Sequence, residues 1–133
     1  MEKVKKQGME SLFCPYEQAL ELKELGFDEP CFGFYVPLLD GTQEFELMKF
    51  ESQGKKVVLA PLWQQAFRFF REKYGLHYII CKNIQMDGYG YREVILIPYM
   101  EENENTIFKT YEEAELECLV KLIDIVKKQN LKG

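Results

Sequence analysis

Catalytic chemistry is scarce in this chain. Its 133 residues include one histidine, His77, and two serines, Ser11 and Ser52, neither of which sits in a Gly-x-Ser-x-Gly elbow. The four cysteines stand at 14, 31, 81 and 118, with no Cys-x-x-Cys pair and no zinc-finger spacing. Each lies in or beside an apolar run, the usual setting of a reduced, space-filling thiol. A Cys–His dyad would have to recruit His77, and a lone histidine at the start of a strand reads first as a structural or surface residue. Gly-rich phosphate loops are missing too: Gly88-Tyr89-Gly90 follows a turn and leads into a strand rather than a helix. The one dense acidic run, 101–104, lacks the Asp-rich pattern of an EF-hand. No metal, cofactor or catalytic residue is therefore assigned.

Positive charge is also in short supply. Seventeen Lys and Arg face 22 Asp and Glu, for a net charge of −5. Nucleic-acid binders draw most of their non-specific affinity from a basic surface, so this balance argues against DNA or RNA as partner. No apolar run approaches the ~20 residues that span a bilayer. The beginning of the chain, MEKVKKQGMESLF, is charged and lacks the apolar stretch of a signal peptide. These absences lead to the expectation of a cytoplasmic protein with free thiols and no membrane association.

What the chain has in quantity is aromatic: ten Phe, eight Tyr and one Trp. Each can bury roughly 150–250 Å², so a packed core is expected despite the modest length. Residues 1–12 read as a flexible leader, and 13–133 as a single domain. Tyr16, Ala19, Leu20, Leu22 and Leu25 recur at helical spacing after Pro15, and Gly26 supplies a stop. The run CFGFYVPLL reads as a strand, Asp40-Gly41 as a two-residue hairpin turn, and 43–50 as the return strand. After the loop 51–56, VVLA adds a short strand. PLWQQAFRFFREKYG is the cleanest amphipathic helix, with Trp63, Ala66, Phe67, Phe70 and Tyr74 on one face, and Gly75 ends it. HYIICKNIQ, Asp87-Gly88 and YREVILIPY form a second strand–turn–strand. Thr110 and Glu113 make a capping box for a last, more uniformly apolar helix that runs through about residue 128. The expectation is an α+β fold in the order αββαββα, with an antiparallel sheet of about four strands and three main helices.

The three helices open with one grammar: YEQA at 16–19, WQQA at 63–66 and YEEA at 111–114. Tyr16 and Trp63 stand 47 positions apart, as do Asp40 and Asp87. Such a period is compatible with an internal αββ duplication. Shared helix-start chemistry accounts for it more simply: an anchoring aromatic, a Glu or Gln at the positive end, and alanine as the best helix former.

The stretches YEQALELKELGFDEPCFGFY, APLWQQAFRFFREKYGL and TYEEAELECLVKLIDIVK resemble a group of small proteins of gut bacteria and of their phages and prophages. The similarity covers most of residues 14–127, outside 37–58 and 76–109. It brings no activity, cofactor or site residue with it. It implies a phage-related or mobile-element gene acting in a bacterial cytoplasm, and an accessory protein that works by binding a protein partner or itself.

On that expectation the second hairpin tip is the candidate contact surface. Tyr89, Tyr91 and Arg92 stand beside a turn, and Arg68 and Arg71 lie at i and i+3 on the polar face of the middle helix. Tyr and Arg are enriched at interaction hot spots. The alternative is that the tyrosines fold back over the sheet while the arginines pair with Glu72 or Glu93. A second functional class, a small-molecule-binding domain or small enzyme, would need a pocket between helices and sheet.

Overall fold

The computed structural model describes residues 8–47, 57–93 and 107–132. It is an α+β structure with two antiparallel sheets, and the chain divides into two compact units, Met1–Ala66 and Phe67–Gly133. The two hairpins expected from the sequence are both present. Their strands are shared between a three-stranded and a two-stranded sheet.

In the first unit, helix α1 (Tyr16–Glu24) leads to strands β1 (Gly33–Pro37), β2 (Gln43–Leu47) and β3 (Val58–Ala60), with sheet order β2-β1-β3. Pro15 stands at the N-cap of α1, where its lack of an N–H costs nothing. The helix ends in a Schellman pair: Phe27 N–H donates to the Leu22 carbonyl at 2.9 Å and Gly26 N–H to Lys23 at 3.1 Å. VVLA does form a strand, because Val58 and Ala60 go into the core while Leu59 alternates outward. That core joins Phe13, Ala19, Tyr35, Phe45, Val58 and Ala60. The Phe13 and Phe45 rings lie 4.9 Å apart, and Tyr35 meets Phe45 and Tyr16 edge-on at 5.5 Å each. The buried Tyr35 hydroxyl donates to the Cys14 carbonyl at 2.6 Å, so its polar end is satisfied.

Residues 8–12, read from sequence as part of a flexible leader, are held. Ser11 accepts a 3.0 Å hydrogen bond from the Trp63 indole, and Phe13 bridges to Leu62 beside it. An indole N–H on Ser11 and a core phenylalanine two residues further on tie this segment to the first unit. Residues 1–7 lie outside the described residues, as do the expected loop at 51–56 and the acidic run at 101–105.

Helix α2 (Trp63–Tyr74) begins in the first unit and continues into the second. Gln65 caps its start, accepting from Leu62 N–H at 2.9 Å, and donates to the Pro30 carbonyl. At the other end Gly75 N–H bonds the Arg71 carbonyl in the left-handed stop. The apolar face includes Phe69, which the spacing argument left off the stripe; Phe69 and Phe70 are both buried.

The second unit continues with β4 (Tyr78–Asn83), β5 (Gly88–Glu93) and α3 (Tyr111–Lys132). Thr110 caps α3 as expected, its hydroxyl accepting from Glu113 N–H at 3.1 Å. Ala114, Cys118, Leu119, Leu122, Ile123 and Val126 form the buried stripe of α3, which packs on β4 and β5. Exposed ion pairs, Arg68–Glu72 and Asp124–Lys128, each at 3.0 Å, add only about 0.3–0.5 kcal/mol apiece. Burying Leu119 or Leu122 decides far more, since truncating such a residue to alanine costs about 2–5 kcal/mol.

Candidate functional site

The second hairpin is built by the alternation of β4 and β5. Tyr78 pairs with Glu93, Ile80 with Tyr91 and Lys82 with Tyr89, while Ile79, Cys81 and Asn83 pair with Arg92, Gly90 and Gly88. Successive side chains of a strand point to opposite faces, so Tyr89 and Tyr91 share one face and Arg92 lies on the other. The three residues singled out from sequence therefore do not form one surface.

Tyr91 corrects the sequence reading most clearly. It is 8% exposed, stacked on Phe108 with ring centres 6.4 Å apart and planes at 18°, and near Tyr78 at 6.2 Å. A tyrosine on the packed face of a two-stranded sheet gains more from burial than from standing in water. Tyr89 is half-buried: its ring meets Tyr111 edge-on at 6.1 Å, and its backbone exchanges both hydrogen bonds with Phe108, at 2.7 and 2.8 Å. Lys82 Nζ sits 5.9 Å from the Tyr89 ring centre. Arg92 is half-buried, with an Nε that finds no hydrogen-bond partner among the described residues. Arg68 is committed to Glu72 through its Nε, and Arg71 is exposed on the same helix. Thus Tyr91 and Arg68 follow the alternative in which these groups are used internally.

The exposed side chains of this hairpin are different ones. Ile84 is 88% exposed and Met86 65%, both in the four-residue loop 84–87, and Ile79 on β4 adds a third apolar group at 41%. The loop is held by local chemistry: Asn83 Oδ1 accepts from Met86 N–H at 3.0 Å, and Asp87 takes a left-handed φ of 48°. Sequence reading missed these residues because it ran the strand through Ile84 and Gln85. The signal was present in Asn83, a turn-forming residue four positions before Asp87.

Two of the four thiols, Cys31 and Cys118, are poorly placed for nucleophilic chemistry. Burial, with Glu29 nearby, pushes Cys31 up to about 12, and burial, with Glu115 nearby, does the same to Cys118. Thiols so placed stay protonated and inert at neutral pH. His77 is exposed. Among the described residues no group of three or more His, Cys, Asp or Glu could hold a metal ion, and no helix is long and apolar enough to cross a membrane. Comparison with protein-family models, curated proteins and solved structures gave no match, so the functional argument rests on the residues themselves.

Proposed function

We propose that this chain is a non-catalytic accessory protein, of the phage or mobile-element kind, that binds a protein partner through the tip of its second hairpin. The observation that carries the reading is the exposure of Ile84 and Met86 on a turn whose backbone is tied down by Asn83. Water-exposed apolar groups on an ordered turn give contact area without the entropy cost of ordering a loose one. Methionine adds a side chain that adapts to an irregular cleft. Ile79 adds an apolar group on β4, so the partner expected is a protein with an apolar cleft.

The test is affinity capture from bacterial cytosol with wild type, the double variant Ile84→Ser/Met86→Ser, and Leu38→Ser/Leu39→Ser at the other hairpin tip. Wild type should retain a stoichiometric protein that the Ile84/Met86 variant loses and the Leu38/Leu39 variant keeps. Equal retention by all three removes the assignment. Retention of the chain's own copies alone would make the contact a self-association.

A further inference from the structure

Ala19, Lys23, Gly26 and Phe27 follow one another at spacings of four, three and one, which places them along a single stripe of α1 and its C-terminal turn. With Val57, just before β3, and Leu59 within it, that stripe lines a cavity of about 360 Å³, to which Asp28 also contributes. The cavity lies wholly within the first unit. Strand β3 thus has two uses: Val58 and Ala60 go into the aromatic core, and Leu59 forms a wall of the cavity. Room exists because position 19 carries only a methyl group and position 26 carries none.

The lining has a definite chemistry. Ala19, Phe27, Val57 and Leu59 make an apolar surface, and two opposite charges stand at its margin, Lys23 and Asp28. Neither charged side chain has an ion-pair or hydrogen-bond partner among the described residues, and they do not pair with each other. A lysine in line with Ala19 and Phe27 occupies a position where an amphipathic helix would place a leucine if packing were its only task. Asp28 lies just past the C-terminus of α1, the negative end of the helix dipole, and both favour a cation there. The volume is near the lower end of the range for small-molecule sites, about 300–1,000 Å³.

We propose that this cavity binds a small zwitterion with a hydrocarbon side chain, such as an aliphatic α-amino acid. Its carboxylate pairs with Lys23, its ammonium with Asp28, and its side chain rests on Phe27, Val57 and Leu59. Each charge of the ligand then meets a charge that has no partner among the described residues, and its apolar part meets the apolar lining of the cavity. The site goes beyond the hairpin reading and shares no residue with it.

The experiment is calorimetric titration of the full chain with three probes of similar length at neutral pH: L-norleucine, hexanoate and hexylamine. L-Norleucine should bind at millimolar concentration, and hexanoate and hexylamine, each lacking one charge, about tenfold more weakly. Lys23→Ala and Asp28→Asn should each weaken L-norleucine by about the same factor. Both side chains are exposed, so the variants should melt with the wild type. Leu59→Phe, which narrows the cavity and touches neither charge, should weaken all three probes. No heat with L-norleucine, equal binding of the singly charged probes, or unchanged affinity in both charge variants would overturn the proposal.

Discussion

Both hairpins carry Asp-Gly at the reversal, and they use it one residue out of phase. In the first, the ladder closes at Pro37 and Gln43, Leu38 N–H donates to the Thr42 carbonyl, and Gly41 takes the left-handed φ of 89°. Counted from that Leu38–Thr42 bond, residues 39–41 make a three-residue loop with a glycine bulge, a residue longer than the two-residue turn the dipeptide favours. In the second, the ladder closes at Asn83 and Gly88, the loop has four residues, and the left-handed position falls to Asp87. Gly88 has become the first residue of a strand. A Cβ at 88 would run into the Ile107 side chain and come within 2.8 Å of the Phe108 carbonyl oxygen. The neighbouring segment therefore requires a residue without a side chain at 88, and that requirement moves the turn by one position. The dipeptide marks where the chain reverses; a contact from residues 107 and 108 sets the phase.

The largest way to break this contrast is alanine at each glycine. Gly88→Ala should cost about 3 kcal/mol, the upper end of overpacking against a backbone that cannot yield. Gly41→Ala meets nothing within 4 Å and pays only for its left-handed φ, about 1 kcal/mol. Urea unfolding of the two variants should place them in that order, and equal losses would mean that conformational strain, not contact, sets both. A smaller effect separates the side chains that brace the loops. Asn83→Ala removes the acceptor of Met86 N–H and should cost about 1 kcal/mol at every pH from 3 to 8, because the amide does not titrate.

Asp40 plays the corresponding part in the first loop and does titrate. Its Oδ1 accepts from the Thr42 hydroxyl at 2.6 Å and from Thr42 N–H at 3.0 Å, and these two bonds hold the carboxyl below its ordinary 3.8. A carboxyl depressed in the folded state stabilises above its unfolded value, and the stabilisation is lost as pH falls through the folded one. The stability difference between wild type and Asp40→Ala should accordingly be present at neutral pH and fade in acid, below about pH 4. The Asn83 difference should persist there. This is the smallest of the three effects, since the group is fully solvated, and parallel pH profiles for Asp40→Ala and Asn83→Ala would remove the distinction.

These cases show why some features were legible from sequence. Helix starts were, because Pro15, Gln65 and Thr110 act within their own turn and need no distant partner. Two helix ends were too, Gly26 closing a Schellman pair and Gly75 a simpler left-handed stop, whereas α3 runs to Lys132, past the expected 128. The fate of Tyr91 was not legible, because it depends on Phe108, which comes from a separate segment. Nor was the sharing of strands between two sheets, which depends on β3 pairing with β1. Lys23 was overlooked for a different reason: on the helix it looks like any other charge, and only the cavity it lines together with Val57 and Leu59 sets it apart.

The bond between Trp63 and Ser11 makes the first unit self-reporting. Trp63 is the chain's single tryptophan, so all indole emission comes from one place. Its Nε1–H is held by a carbonyl of the segment that precedes the core. Fluorescence therefore follows whether residues 8–12 stay docked, without any label, and separates their release from the melting of the hairpin that ends in Ile84 and Met86.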